Sequence, residues 1–383
     1  MRRVYLTVLL LLCTALSGCS WLDGEYASVT PHRQHSIGSA TEEVRIENYL
    51  QLRTALEEMV NSGTENRVIF VDALTQEQLD RSLDLVGRYI KTAYPIGAYA
   101  VEDVTFDIGT SSGIPAVAVN ISYLHSRGEL LRIQTVETME EVTALICEAL
   151  DHYDTSLVLL VNNYATLDIS QFVSDYAEEN PGTVMELPQV LTQMYPNTGS
   201  KRLLEIQLTY QTSRDDLRNM HEQVERIFDS SALYVTQKAA QSQKVAQLYT
   251  FLMERFDYQI KTSITPAYSL LNHGVGDQKS FAMVFAEMCQ RSGIECITVG
   301  GARSGEHRRW NIVLIDGYYY HVDLLSCRDS GGFSLKTDSQ MASYVWDYSA
   351  YPACTGAPPA PPEETQAPEE TQTPTEIPEN PDE

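Results

Sequence analysis

The chain has 383 residues, of which 27 are basic and 52 acidic, giving a formal net charge of −25 at neutral pH. A charge of that sign argues against nucleic acid or an anionic lipid surface as a partner, because both are polyanions. We predict no cofactor and no metal site, since no spacing of His, Cys and Asp in the sequence is typical of structural zinc.

The N-terminus predicts export. Two arginines precede an apolar run over residues 4–12 that is too short to span a bilayer, which is typical of a signal peptide. Residues 16–19, Leu-Ser-Gly-Cys, resemble the lipobox of bacterial lipoproteins. The resemblance implies that Cys19 is lipidated and becomes the first residue of the mature chain, the alternative being an ordinary cleavable signal. We therefore expect a protein anchored by the lipid on Cys19 to the extracytoplasmic face of the cell membrane.

The rest of the chain divides by composition and periodicity. The end of the chain is rich in Pro, Thr and Glu and has few apolar side chains to bury, so disorder is expected there. The fold class that we predict is α+β, with two tandem α-β-α-β-β repeats followed by a third α+β domain. The predicted boundaries are 1–18 for the signal peptide, 19–45 for a polar tether without an element, 46–136 and 137–235 for the repeats, 236–354 for the last domain and 355–383 for the acidic tail.

Residues 46–230 contain an internal duplication. One helical stripe recurs at a shift of 90 residues, with members Leu52, Ala55, Leu56, Met59 and Val60 in the first copy and Val142, Leu145, Ile146, Ala149 and Leu150 in the second. Apolar strands follow at 68–71 and 158–161. A capping box of Thr75 and Gln78 predicts the next helix in the first copy, and Asp168 is the matching cap in the second.

Each copy closes on an alternating strand, at 117–123 and 204–210. A Ser-Arg pair follows each strand, at 126–127 and 213–214, and we interpret both pairs as polar turns rather than ligand sites. The modules show no paired catalytic carboxylates, phosphate loop or metal-ligand spacing. Tandem exported modules of this kind more often bind or space than catalyse.

Beyond the signal region the sequence has five cysteines, and an odd number cannot be fully paired within one chain. Cys327 and Cys354 flank a loop-rich stretch, so a disulfide between them is possible. Cys147 lies on an apolar helical face and is expected to be a packed thiol.

The last domain carries three ordered motifs. After a predicted helix at about 239–256, residues 276–282 read Gly-Asp-Gln-Lys-Ser-Phe-Ala, residues 308–311 read Arg-Arg-Trp-Asn and residues 320–323 read Tyr-His-Val-Asp. A strand from residue 296 precedes the second motif, and the Asp-Gly turn at 316–317 predicts a hairpin before the third.

This order resembles the transglutaminase-like superfamily over about residues 240–350. The family pattern reads Gly-Asp-Cys-x-x-Phe/Tyr-Ala, then His-Ala-Trp-Asn, then Tyr-x-Val-Asp, on a papain-like core with the Cys at a helix start and the His and Asp on adjacent strands. The resemblance places Gln278 at the nucleophile position, Arg308 at the base position and Asp323 at the third, with Trp310 and Asn311 as scaffold of the groove.

Two of the three catalytic roles are chemically lost. A glutamine amide has no nucleophile comparable to a thiolate, and an arginine stays protonated and cannot act as a base. Arg308 can instead form a charge-assisted pair with Asp323. We therefore predict a pseudoenzyme with no catalytic residue, whose groove binds a peptide, another protein or a wall polymer.

Two alternatives remain open. The chain could be an active thiol peptidase or acyltransferase with a relocated nucleophile, for which Cys289 and His307 are the candidates. Cys289 should face the core with Phe281 and Phe285, and a shift of one residue turns His307 to the other face of its strand. The other alternative is a structural surface spacer, in which the modules project the last domain from the membrane.

Overall fold

The structure is a computed structural model and describes residues 36–37 and 44–356. The predicted signal peptide, Cys19, most of the tether and nearly all of the acidic tail lie outside the described residues. Among the helices described, none combines the length and apolar character that a membrane span requires. The described residues divide into two compact units, one of 36–37, 44–138, 158–164 and 194–204, the other of 139–157, 165–193 and 205–356.

Helices and strands alternate along the described part of the chain. The helices are α1 Tyr49–Ser62, α2 Gln76–Thr92, α3 Pro95–Ala100, α4 Arg127–Leu130, α5 Met139–Asp151, α6 Ile169–Glu179, α7 Arg214–Tyr234, α8 Gln241–Arg255, α9 Pro266–His273, α10 Gln278–Arg291 and α11 Leu324–Asp329. The strands are β1 Val44–Arg45, β2 Asn66–Phe70, β3 Val101–Ser111, β4 Ile114–Tyr123, β5 Gln134–Val136, β6 Ser156–Val161, β7 Gln189–Tyr195, β8 Arg202–Thr209, β9 Asp257–Tyr258, β10 Val275–Gly276, β11 Cys296–Arg303, β12 Glu306–Ile315, β13 Tyr318–Val322 and β14 Tyr344–Trp346. The predicted α+β class is confirmed.

The first module is a four-stranded sheet of order β1-β2-β4-β3 covered by helices. Helix α1 buries all five residues of its predicted stripe and ends at Gly63, whose φ of 62° is the left-handed conformation that favours glycine. Helix α2 begins at the predicted capping box of Thr75 and Gln78. The apolar stripe and the capping box therefore predicted α1 and α2 correctly.

The tether was predicted to form no element, and this is wrong at its end. Val44–Arg45 is strand β1, which pairs in parallel with β2 through Val44↔Ile69. Ile37, also in the predicted tether, is 4% exposed and packs beside Phe70. A two-residue strand has no periodicity of its own, because its partner lies about 25 residues away in the chain.

The second module has a sheet of order β5-β6-β8-β7, the same arrangement as the first. Strand β5 lies within the predicted first repeat but pairs with β6, through Gln134↔Leu159. Each module thus has a short first strand that the α-β-α-β-β prediction omits. The duplication itself stays a prediction.

The Ser-Arg pairs mark helix starts, not the turns that were predicted. Ser126 caps α4 and accepts a hydrogen bond from the Glu129 N–H, while Ser213 caps the 21-residue α7 and accepts from the Asp216 N–H. Arg214 then pairs with Asp154 at 2.6 Å. The predicted second repeat contains α7, which the sequence pattern did not reveal.

The last domain has a sheet of order β13-β12-β11-β14, in which the neighbouring strands are antiparallel, and helix α10 packs against β11 and β12. The predicted helix near 239–256 is α8, which buries Val245, Leu248 and Leu252. The predicted hairpin is present, with Asp316 and Gly317 at φ of 51° and 85° between β12 and β13. Two positive φ values in a two-residue loop are the geometry that the Asp-Gly pair favours.

Candidate functional site

Helix α10 opens the candidate site at its N-terminus. The Asp277 carboxylate caps the helix, accepting from the Ser280 N–H at 2.9 Å and from the Ser280 hydroxyl at 2.7 Å. Gln278, which the resemblance assigns to the nucleophile position, is the first helical residue. Its Nε2 donates to the His307 carbonyl at 2.9 Å, and its Oε1 accepts from the Arg309 N–H at 3.4 Å. The glutamine therefore ties the helix start to strand β12, where a thiolate would need to stand free.

Arg308 and Asp323 form the predicted ion pair. Arg308 Nε and Nη2 donate to the two carboxylate oxygens of Asp323 at 2.8 and 2.6 Å, a bidentate arrangement. The side chains are 15% and 1% exposed. Asp323 also accepts from the Ser326 N–H at 2.9 Å and from the Tyr344 hydroxyl at 2.7 Å. Four donors thus saturate the carboxylate.

The pKa values of Arg308, Asp323 and Tyr344 are all shifted at this site. Burial opposes the charge on Arg308 and on Asp323, but their mutual hydrogen bonds and attraction outweigh it, so the pKa of Arg308 is raised and that of Asp323 is lowered. Burial and the nearby Asp323 charge raise the pKa of Tyr344 to about 12. At neutral pH Arg308 and Tyr344 are therefore protonated and Asp323 is ionised.

A groove with a volume of about 600 Å³ lies over these residues. Its ten lining residues include Gln278, Arg308 and three further polar side chains of α10 and β12, but no cysteine. Lys279 and Arg309 both pair with Glu178 of α6, at 2.5 and 3.1 Å. Sequence reasoning missed Glu178, because its contacts join positions about 100 residues apart.

Trp310 and Asn311, the predicted scaffold residues of the groove, are buried, at 1% and 0% exposed. Asn311 Nδ2 donates to the Ala282 carbonyl at 2.9 Å, which ties β12 to α10. Trp310 Nε1 donates to His321 Nδ1 at 2.9 Å. Only glycine fits at position 301 beside Trp310, since a Cβ there would lie 2.6 Å from the indole and 2.4 Å from the Val345 carbonyl.

A second polar cluster lies behind the tryptophan. His321, Asp338 and Cys354 place one potential metal ligand each within 4.8 Å of one another, an arrangement that the sequence did not suggest. His321 Nδ1 accepts from Trp310, so the imidazole proton lies on Nε2, which faces Asp338 Oδ1 at 2.8 Å. A metal would need the Nε2 lone pair. The hydrogen bonds therefore fit a buried structural cluster better than a metal centre.

The two rescue candidates, Cys289 and His307, lie in different surroundings, the first in the core and the second at the groove. Cys289 is fully buried with Phe281 and Phe285, as expected, and burial next to Cys296 raises its pKa well above the ordinary value. A thiol of that kind is inert. His307 lines the groove, but its carbonyl is occupied by Gln278 and its side chain is exposed.

The possible disulfide is not formed. Cys327 and Cys354 are free and belong to different core clusters, and Cys327 Sγ lies 3.5 Å from both oxygens of Ser334. Cys147 is half-buried on α5, and burial raises its pKa. Loop composition between two cysteines does not specify where their side chains point, so the pairing was a weak prediction.

Residues 230–331 match the transglutaminase-like superfamily. This segment contains α10, β11, β12 and β13, and hence Gln278, Arg308 and Asp323. The chain contains a transglutaminase-like domain. Its papain-like core agrees with the resemblance on which the three positions were assigned.

Solved structures similar to this chain include a TGase, at 9% identity over 56% of this chain and 62% of that one, with a TM-score of 0.25. They also include a proposed cysteine protease from Cytophaga hutchinsonii, at 12% identity over 41% and 70%, with a TM-score of 0.25. A third is a proposed protease from Parabacteroides distasonis, at 12% identity over 61% and 40%, with a TM-score of 0.21. The chain thus spans less than two thirds of the first of them. No curated protein matches it.

Proposed function

We propose that the transglutaminase-like domain is a binding domain without acyl-transfer or peptidase activity, carried by a lipid-anchored extracytoplasmic protein. The observation that carries this is the bidentate Arg308–Asp323 pair, at positions that the resemblance assigns to a catalytic His-Asp pair. The groove beside it has a volume of about 600 Å³, which can admit a peptide, a protein segment or part of a wall polymer.

An activity assay tests the inactive state. The chain from residue 20 onward is assayed for amine incorporation and for peptide cleavage, beside a Cys289→Ala variant. We expect no turnover in either protein, because Cys289 is buried in the core. Turnover that disappears in Cys289→Ala would instead establish a thiol enzyme with a relocated nucleophile.

A gain-of-function variant tests the assignment of the three positions. Gln278→Cys with Arg308→His places a thiol at the start of α10 and an imidazole beside Asp323. Such a pair restores the residues needed for thiolate attack. We expect measurable turnover, and its loss when Asp323→Asn is added. A double variant that folds and binds but stays inactive would contradict the assignment.

The lipid anchor needs a separate test. Cells expressing the chain are labelled with a fatty acid, and a Cys19→Ala variant serves as the control. We expect label and membrane association in the parent and neither in the variant. A parent chain without label would mean an ordinary cleaved signal peptide. The structural spacer is a separate question, and a folded parent chain that binds no peptide, protein or wall polymer would favour it.

A further inference from the structure

Cationic side chains are concentrated at the groove although the chain has a net charge of −25. Three cations line it, Lys279, Arg308 and Arg309, whereas its acidic lining residue, Asp277, is 8% exposed and turned to Ser280. The cationic side chains are 30%, 15% and 35% exposed. The carboxylates that neutralise them are more deeply buried than their partners, at 17% for Glu178 and 1% for Asp323. The cations therefore face the groove and the acids lie behind them.

Arg308 keeps part of its hydrogen-bonding capacity. The guanidinium has five N–H donors, and Asp323 occupies Nε and Nη2. Within the part of the chain that the structure describes, Nη1 makes no hydrogen bond. Arg308 lines the groove, and because the pair holds the guanidinium plane in place, Nη1 is a preorganised donor.

Lys279 and Arg309 are only half neutralised. One carboxylate, that of Glu178, accepts from both, so two positive charges meet a single negative one. The guanidinium of Arg309 lies over Gly300, where an added Cβ would come within 3.1 Å of Nη1. The positive end of the α10 dipole points into the same region and adds to the attraction for an anion.

The groove also has an exposed apolar side chain. Val345 lines it and is 68% exposed. We infer that the groove recognises a carboxylate on a peptide, with Arg308, Arg309 and Lys279 as the anion-binding residues and Val345 contacting an adjacent apolar side chain. This inference rests on the proposed binding function and specifies its ligand class.

Affinity selection from peptide pools tests the inference. Three hexapeptide pools with degenerate flanking positions are incubated with the chain from residue 20 onward. One is capped at both ends and has a central Glu, one has a central Gln and a free C-terminal carboxylate, and one has a central Gln and both ends capped. We expect retention of one or both carboxylate pools, at least tenfold above the neutral pool, and weaker retention as salt increases. The pool retained identifies the source of the carboxylate.

Variants assign the effect to the groove. Arg309→Gln should lower retention of the carboxylate pool about tenfold, as one charge-assisted contact is lost. Glu178→Gln should raise it severalfold, since it releases two cations. Arg218→Gln, an exposed arginine of α7 paired with Asp215, is the matched control and should have no effect.

Three results would overturn the inference. Equal retention of neutral and carboxylate pools would leave a binding domain that does not recognise anions. Retention of no pool would remove both this inference and the proposed peptide binding. An unchanged preference in Arg309→Gln and Glu178→Gln, with both proteins folded, would place the anion site elsewhere.

Discussion

Replacing Arg308 by methionine removes the cation that accompanies Asp323 while keeping a side chain of similar length. The Asp323 side chain is 1% exposed and would retain the Ser326 N–H and the Tyr344 hydroxyl as donors. Breaking a buried ion pair on one side costs about 3–5 kcal/mol, since it leaves an uncompensated buried charge. We therefore expect the free energy of unfolding of the last domain to fall by about that amount near neutral pH.

The loss of unfolding free energy in Arg308→Met should depend on pH. In the wild type the pKa of Asp323 is lowered, so the pair stabilises the fold above the unfolded-state value of about 3.9 and this is lost as pH falls through the folded pKa. Without Arg308 the hydrogen bonds from Ser326 and Tyr344 still lower the pKa of Asp323, but burial, the largest influence, raises it, so we expect that pKa to rise above about 3.9. The carboxyl then takes up a proton on mild acidification, and the difference between variant and wild type should shrink from about pH 7 to about pH 5.

Urea unfolding followed by tryptophan fluorescence measures the effect, because Trp310 and Trp346 lie in this domain. The double variant Arg308→Met with Asp323→Asn should recover most of the loss, since no charge stays buried. Arg328→Met is the matched control, an exposed arginine beside Asp329 whose loss should cost less than about 1 kcal/mol. A cost below about 1 kcal/mol for Arg308→Met, or one that is equal at both pH values, would refute this account of the pair.

Three further changes test the scaffold. Trp310→Phe should lower the free energy of unfolding by about 1–3 kcal/mol, because His321 Nδ1 loses its donor; an unchanged urea midpoint would contradict that bond. Gly301→Ala should lower the melting temperature, because its Cβ would meet the Val345 carbonyl at 2.4 Å, whereas Gly332→Ala, with no atom within 4 Å, should leave it unchanged. Burial lowers the pKa of His321 despite the neighbouring Asp338. The free energy of unfolding of the wild type should therefore fall as pH drops below about 6.5, the value in the unfolded chain. A free energy of unfolding that stays constant from about pH 7 to about pH 5 would contradict this lowered pKa.

The sequence by itself determined the features that depend on neighbouring residues. The stripe of α1, the capping box at Thr75 and the hairpin at Asp316-Gly317 were predicted and are present. Each depends on the conformational preference of a few adjacent residues, or on a period of 3.6. The transglutaminase-like domain was also found from ordered motifs, and the pairing of Arg308 with Asp323 followed from their places in it.

The tertiary structure decided what depends on residues far apart in the chain. Strand β1 exists because β2 pairs with it, and Glu178 enters the groove region because α6 packs near α10. The tertiary structure likewise brings His321 next to Asp338 and leaves Cys327 and Cys354 without a disulfide. Such contacts leave no periodic pattern, because their free energy comes from partners brought together only when the chain has folded.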